Sequence, residues 1–90
     1  MNELPVKIES IDLSWRDLTI LPDLSRFTNL KLLDCSNNQL TSLPPLNNSL
    51  VYLDCSWNKL TSLPPLNNSL EYLNCSRNQL NSLPPLNDFF

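Results

Sequence analysis

The sequence predicts an α/β-type solenoid, with a parallel β-sheet on its concave side, an irregular, polyproline-like convex side, and little or no helix. Three observations carry this expectation. A 20-residue pattern recurs in phase along the chain. Each copy holds one short stretch that alternates inward and outward, as a strand does. The copies also carry Pro-Pro pairs at 44–45, 64–65 and 84–85, which forbid helix and favour an extended return.

The elements follow in order. Residues 1–7 (MNELPVK) are expected to cap the first coil. Residues 8–29 (IESIDLSWRDLTILPDLSRFTN) form a degenerate first unit, two residues longer than the rest. Its Ile8, Ile11, Leu13, Leu18 and Leu21 match Leu30, Leu33, Cys35, Leu40 and Leu43 of the next unit, residues 30–49 (LKLLDCSNNQLTSLPPLNNS). Residues 50–69 (LVYLDCSWNKLTSLPPLNNS) and 70–90 (LEYLNCSRNQLNSLPPLNDFF) complete the array. Phe90 falls where another coil would place Leu, so it is expected to lie over the last apolar layer as a crude lid.

Each unit reads L-x-x-L-x-[LC]-x-x-[NR]-x-L, with Ile taking the leading positions of the first and Arg16 standing where the others have Asn38, Asn58 and Asn78. This resembles the leucine-rich repeat, over nearly the whole chain from Ile8 to Phe90. The 20-residue length and the segment LTSLPPL are most similar to the short repeats of bacterial effector proteins. Related short repeats with Cys in the strand occur in large DNA viruses. The resemblance implies a concave strand face that binds partner proteins. The bacterial effectors often carry a separate ubiquitin-ligase domain, for which these 90 residues have no room.

Physical chemistry gives each position a reason. Leu30, Leu33, Cys35, Leu40, Leu43 and Leu46 are expected to point into the coil. One coil alone cannot bury them, whereas stacked neighbours make a continuous core. Asn38, Asn58 and Asn78 sit where the chain leaves the strand and are expected to form an inward amide ladder on buried backbone groups. The Asn-Asn-Ser segments at 47–49 and 67–69 are expected to turn the chain, with Asn accepting positive φ where the sequence has no Gly.

Composition narrows the function. The chain has no His, so no Ser-His-Asp triad, Cys-His pair or histidine metal cage. It has no Gly, so no glycine loop to cradle a phosphate. A net charge of -3 with six scattered basic residues lacks the footprint of a nucleic-acid or anionic-membrane binder. The start has no basic segment followed by an apolar run, and no stretch reaches the roughly 20 apolar residues of a membrane helix. The expected setting is therefore the cytoplasm, a host's if the source is a virus or a translocated effector. There the sequons at Asn47, Asn67 and Asn74 are read as turns and strand rather than glycan sites.

Cys35, Cys55 and Cys75 form one column. The outer two lie two coils apart, about 10 Å, whereas two thiolates on one zinc sit within about 4.6 Å. They are read as small buried apolar residues, with no metal and no cofactor expected.

Outward strand positions define the candidate binding face. One column is Ser10, Leu32, Tyr52, Tyr72; the next is Asp12, Asp34, Asp54, Asn74. A third is Ser14, Ser36, Ser56, Ser76, and a fourth, at the strand exits, is Trp15, Asn37, Trp57, Arg77. Leu32, Tyr52 and Tyr72, with Trp57 at the edge, offer a contiguous apolar patch. The alternative is that Tyr52 packs on Tyr72 to stiffen the sheet. Asp34 and Asp54 on adjacent strands repel by roughly 0.8 kcal/mol even at the dielectric of water. They are either selected to meet basic groups or inherited from duplication of one unit.

The expected function is a non-enzymatic protein–protein interaction module or scaffold. Its partner-binding residues are Leu32, Tyr52, Tyr72, Trp57, Asp34 and Asp54, and its partner carries basic and apolar groups. The alternative is a structural repeat fragment that self-associates weakly through its C-terminal edge. The sheet offers on the order of 300 Å², against about 800 Å² per partner in a stable interface, so binding is weak, multivalent, or extended onto other faces. Replacing Asp34 and Asp54 by Lys is expected to weaken partner binding and barely change Tm.

Overall fold

The computed structural model describes residues 7–81. Four three-residue strands form one parallel sheet in chain order: β1 (Ser10–Asp12), β2 (Leu32–Asp34), β3 (Tyr52–Asp54) and β4 (Tyr72–Asn74). The register is the repeat itself, with Leu33 beside Leu53 and Leu53 beside Leu73. β1 pairs Ile11 with Leu33, an offset of 22 that carries the extra length of the first unit. No helix occurs among the described residues. The segments 42–47 and 62–67 return without regular structure, and they contain the Pro-Pro pairs at 44–45 and 64–65. The cap over 1–6, the pair at 84–85 and the lid at Phe90 lie outside the described residues.

The core is one stack of leucines and cysteines. Leu30, Leu40, Leu50, Leu53, Leu60, Leu70, Cys35 and Cys55 are fully buried, all but Leu70 from the two central coils. Ile11, Leu13 and Leu18 on one flank, and Leu73, Cys75 and Leu80 on the other, are half-buried against it. Burial is thus most complete where a coil lies on each side. Ile8 aligns with Leu30 yet is 46% exposed, and no coil lies over it among the described residues.

The asparagine ladder has a direction. Asn58 Nδ2 donates to its own coil's Cys55 and Ser56 carbonyls and reaches back to the Cys35 carbonyl of the preceding coil. Its Oδ1 accepts from Leu40 N–H, again in the preceding coil. Asn78 does the same toward Cys55 and Leu60. Asn38 donates to the Leu13 carbonyl and accepts from the Arg16 and Leu18 amides. Each amide therefore completes the bend of the coil before it. That is why Arg16 is tolerated in the first unit: among the described residues no earlier bend needs an amide from that position.

A second amide ladder runs along the convex side. Asn47 Nδ2 donates to the Leu24 and Phe27 carbonyls, and Asn67 Nδ2 donates to the Asn47 carbonyl at 2.7 Å. Ser49 Oγ donates to the Leu30 carbonyl. Phe27 holds the place of Asn47, since Leu30 N–H bonds to its carbonyl as Leu50 N–H bonds to that of Asn47. The two extra residues of the first unit thus fall between Leu24 and Phe27, at Ser25 and Arg26, in a turn where Asp23 accepts from Ser25 N–H.

Positive φ lies elsewhere than expected. The Asn-Asn-Ser segments have none; the left-handed residues are Trp15, Asn37, Trp57 and Arg77, near φ 57, together with Asp17. The bend at the strand exit, not the convex turn, needs the left-handed conformation. It must swing the next side chain, the ladder Asn, inward within one residue. For residues other than Gly and Asn this conformation costs roughly 1–2 kcal/mol. Hydrogen bonds from the Trp15, Asn37 and Trp57 amides to the serine carbonyl of the next coil hold it in place.

Asn58→Ala should destabilise by about 1–3 kcal/mol, because it strands buried carbonyls and the Leu40 amide. Asn78→Ala should cost less, since half-exposed Asn78 leaves groups that water can reach. Urea denaturation of the two variants, compared at equal m, checks the order.

Candidate interaction face

The concave columns form as the strand pairing dictates. Leu32, Tyr52 and Tyr72 lie side by side, as do Asp12, Asp34, Asp54 and Asn74. Leu32 and Tyr52 are half-buried and Tyr72 is 42% exposed. The two tyrosine rings stack, with centroids 4.2 Å apart and planes 3° from parallel. Burial against its neighbours, then the adjacent Tyr72 hydroxyl, raises the Tyr52 phenol above its ordinary value. The stack stiffens the sheet and also presents a flat aromatic surface.

Each carboxylate of the acidic column has a local duty that spacing did not reveal. Asp34 Oδ1 accepts from both Ser36 N–H and Ser36 Oγ, and Asp54 Oδ1 accepts likewise from Ser56. The same pair links Asp12 to Ser14, and these bonds hold the exposed Asp12 carboxyl below its usual range. Ser36 and Ser56 are therefore not outward contact residues, since both are buried, whereas Ser14 is half-buried and Ser76 exposed. Asn74 accepts the same two bonds from Ser76 with no charge at all. The turn needs an oxygen at this position and does not need its negative charge. A lysine there would strand the serine, so Asp34→Lys and Asp54→Lys should lower Tm, contrary to the expectation from spacing.

Trp57 stands at the strand exit rather than on the sheet, 55% exposed, with the Arg77 guanidinium 5.0 Å from its ring centroid. Trp15, in the same column, is 78% exposed. Its place in the column of Trp57 is the signal in the sequence that marks it, and the degenerate pattern of the first unit obscures that signal. Trp15, Asp17, Asn37, Asn38, Gln39 and Trp57 line a groove of about 440 Å³. A second groove, of about 360 Å³, lies on the convex side along Pro45–Ser49, with Ser25 and Thr28.

The cysteine column is inward. Cys35 and Cys55 are buried, Cys75 is half-buried, and none is in a disulfide. Burial, reinforced by the Asp34 and Asp54 charges, pushes the Cys35 thiol from 9.0 up to about 12; burial also raises Cys55 and Cys75. Among the described residues, no cluster of three His, Cys, Asp or Glu side chains is placed to hold a metal, and no helix could cross a membrane.

The Leucine Rich Repeat family model matches residues 29–48, 49–68 and 69–89. No curated protein matches the chain.

The raised thiols make stability depend on alkaline pH. Their folded-state pKa exceeds the unfolded value, so the stability they contribute is complete below about pH 9 and is lost as pH rises toward about 12. Denaturation midpoints should be flat from pH 7 to 9 with respect to these groups and fall beyond. At pH 8 a thiol reagent should modify Cys75 first, and Cys35 and Cys55 at the rate of unfolding. Peptide mapping over time checks the order.

Proposed function

The chain belongs to the leucine-rich repeat family, whose repeats generally serve protein–protein interaction, and from that premise we propose that it is a non-enzymatic interaction module that binds a protein through its concave sheet face. Leu32, Tyr52 and Tyr72 supply apolar and aromatic contact, Trp57 extends it at the strand exits, and Asp34 and Asp54 pair basic groups of the partner. The setting is proposed to be cytoplasmic.

One observation carries the reading. Asn74 makes the serine turn as well as aspartate does, so local structure does not require the charges on Asp34 and Asp54. The two carboxylates sit on paired residues of adjacent strands, where they repel. A basic partner would turn that cost into attraction, next to an aromatic surface of the kind enriched in binding hot spots. The small area of the sheet argues for modest affinity, raised by multivalency or by contact beyond the sheet.

Selecting a random peptide library on the full chain should enrich sequences that combine Lys or Arg with aromatic residues. The double variant Asp34→Asn/Asp54→Asn keeps both turn oxygens, so Tm should hold or rise slightly, while affinity for the selected peptides should fall roughly fivefold. Undiminished affinity in this variant refutes the role of the carboxylates. If no peptide is enriched and the mass in solution rises with concentration, the chain is instead a self-associating repeat piece.

A further inference from the structure

The exit column reads, coil by coil, Trp15, Asn37, Trp57, Arg77. Its last two members already form one layer of a stack, the Arg77 guanidinium 5.0 Å from the Trp57 ring centroid. The tyrosine pair shows that aromatic rings on adjacent coils meet directly, at 4.2 Å. Trp15 and Trp57 are two coils apart, about 10 Å along the sheet. Two contacts at the 5.0 Å that separates the Arg77 guanidinium from the Trp57 ring centroid take up that span, so there is room between the indoles for one planar group. The residue at the intervening coil is Asn37, which is too short to fill the layer. The result is the groove lined by both tryptophans, Asn37 and Asp17.

The chemistry of the groove is specific. Its indoles offer negative ring faces, which attract cations. Gln39 Nε2 donates to Asp17 Oδ1, which fixes the carboxylate at the groove wall. Asp17 brings a full negative charge, in a chain whose net charge is -3. The backbone argues that the tryptophans are not there for the fold: the left-handed position accepts Asn37 at little cost, whereas Trp15 and Trp57 hold it at φ 57 and 56.

We propose that this groove is a binding site for an arginine side chain of a partner protein, its guanidinium layered between Trp15 and Trp57 and paired with Asp17. It repeats, with a partner's group, the layer that Arg77 makes on Trp57. The proposal rests on the reading of the chain as an interaction module, but it names a site outside the strand face.

The chain has only two tryptophans, both in the groove, so their two indole Nε1–H resonances report on it selectively. The probe is the tripeptide acetyl-Ser-Arg-Ser-amide, compared with its lysine and citrulline counterparts, titrated into the full chain. The arginine peptide should shift both indole resonances and bind at least roughly threefold more tightly than either counterpart. Trp15→Asn keeps the left-handed backbone, as Asn37 does, and should weaken binding by roughly threefold or more. Asp17→Asn keeps the acceptor for Gln39 and should weaken the arginine peptide while leaving the citrulline peptide unchanged. Asp34→Asn/Asp54→Asn should change tripeptide binding by less than about twofold, which separates a failure of the groove from a failure of the strand face. Unshifted indoles at about 20 mM peptide, citrulline or lysine binding as well as arginine, or full affinity in both Trp15→Asn and Asp17→Asn would overturn the proposal.

Discussion

The structure depends on the satisfaction of backbone groups at the bend that follows each strand. Leaving a three-residue strand, the chain must turn inside a leucine core where its own amides and carbonyls have no water. The ladder asparagine meets that need with one planar amide that both donates and accepts. Because Asn58 serves Leu40 and Cys35 of the coil before it, that coil does not complete its bend alone. Apolar stacking supplies most of the free energy of folding, but it is tolerant of side-chain identity, as the exchange of Leu13 for Cys35 shows. The amide contacts fix the phase. A slip of one residue would bury unpaired carbonyls in every coil, so the strands stay in register although each is only three residues long.

The same bend shapes the surface. To aim asparagine inward, the preceding residue adopts positive φ, and its side chain is thrown out at the rim of the sheet. To hold the exit, the aspartate that ends the strand binds the serine two residues on, which buries the hydroxyl and leaves the rest of the carboxylate facing outward. Both candidate contact regions, the acidic column and the aromatic rim, are therefore by-products of one turn. The fold fixes where they lie, at the coil spacing. It leaves the identity of the rim residue and the charge of the column free to vary, and this is where Trp15, Trp57, Asp34 and Asp54 depart from what the backbone alone would favour.

Much of this was legible in the sequence. Stacking at a constant period converts linear spacing into spatial columns, so Leu33–Leu53–Leu73 and Tyr52–Tyr72 could be read as neighbours before any coordinates. The asparagine ladder was legible because a buried bend demands a group that donates and accepts together. What escaped were choices between equivalent local bonds. Ser36 alternates outward by strand parity, yet it is buried, because the strand ends at Asp34 and the chain bends before parity can place it. Asn47–Ser49 turn the chain as composition suggests, but their side chains also act at long range on the preceding coil's carbonyls, and positive φ falls instead at the strand exits, on Trp15, Trp57 and Arg77 as well as Asn37. A two-residue insertion is visible as length but not as place. Only the bonds of Phe27 locate it at Ser25 and Arg26.

Size sets what such a surface can achieve. A sheet of four short strands is too small for a tight interface by area alone, so affinity has to come from a few well-defined contacts or from repetition. The columns supply the first. In one, neighbouring tyrosines close on each other and leave a flat surface. In the other, aromatic residues on alternate coils leave a layer between them, and an asparagine keeps that layer from filling. A repeat that placed tryptophan at every exit would stack the column shut. Alternation is what converts a stiffening device into a recess, and a difference of one residue between adjacent copies suffices to make it.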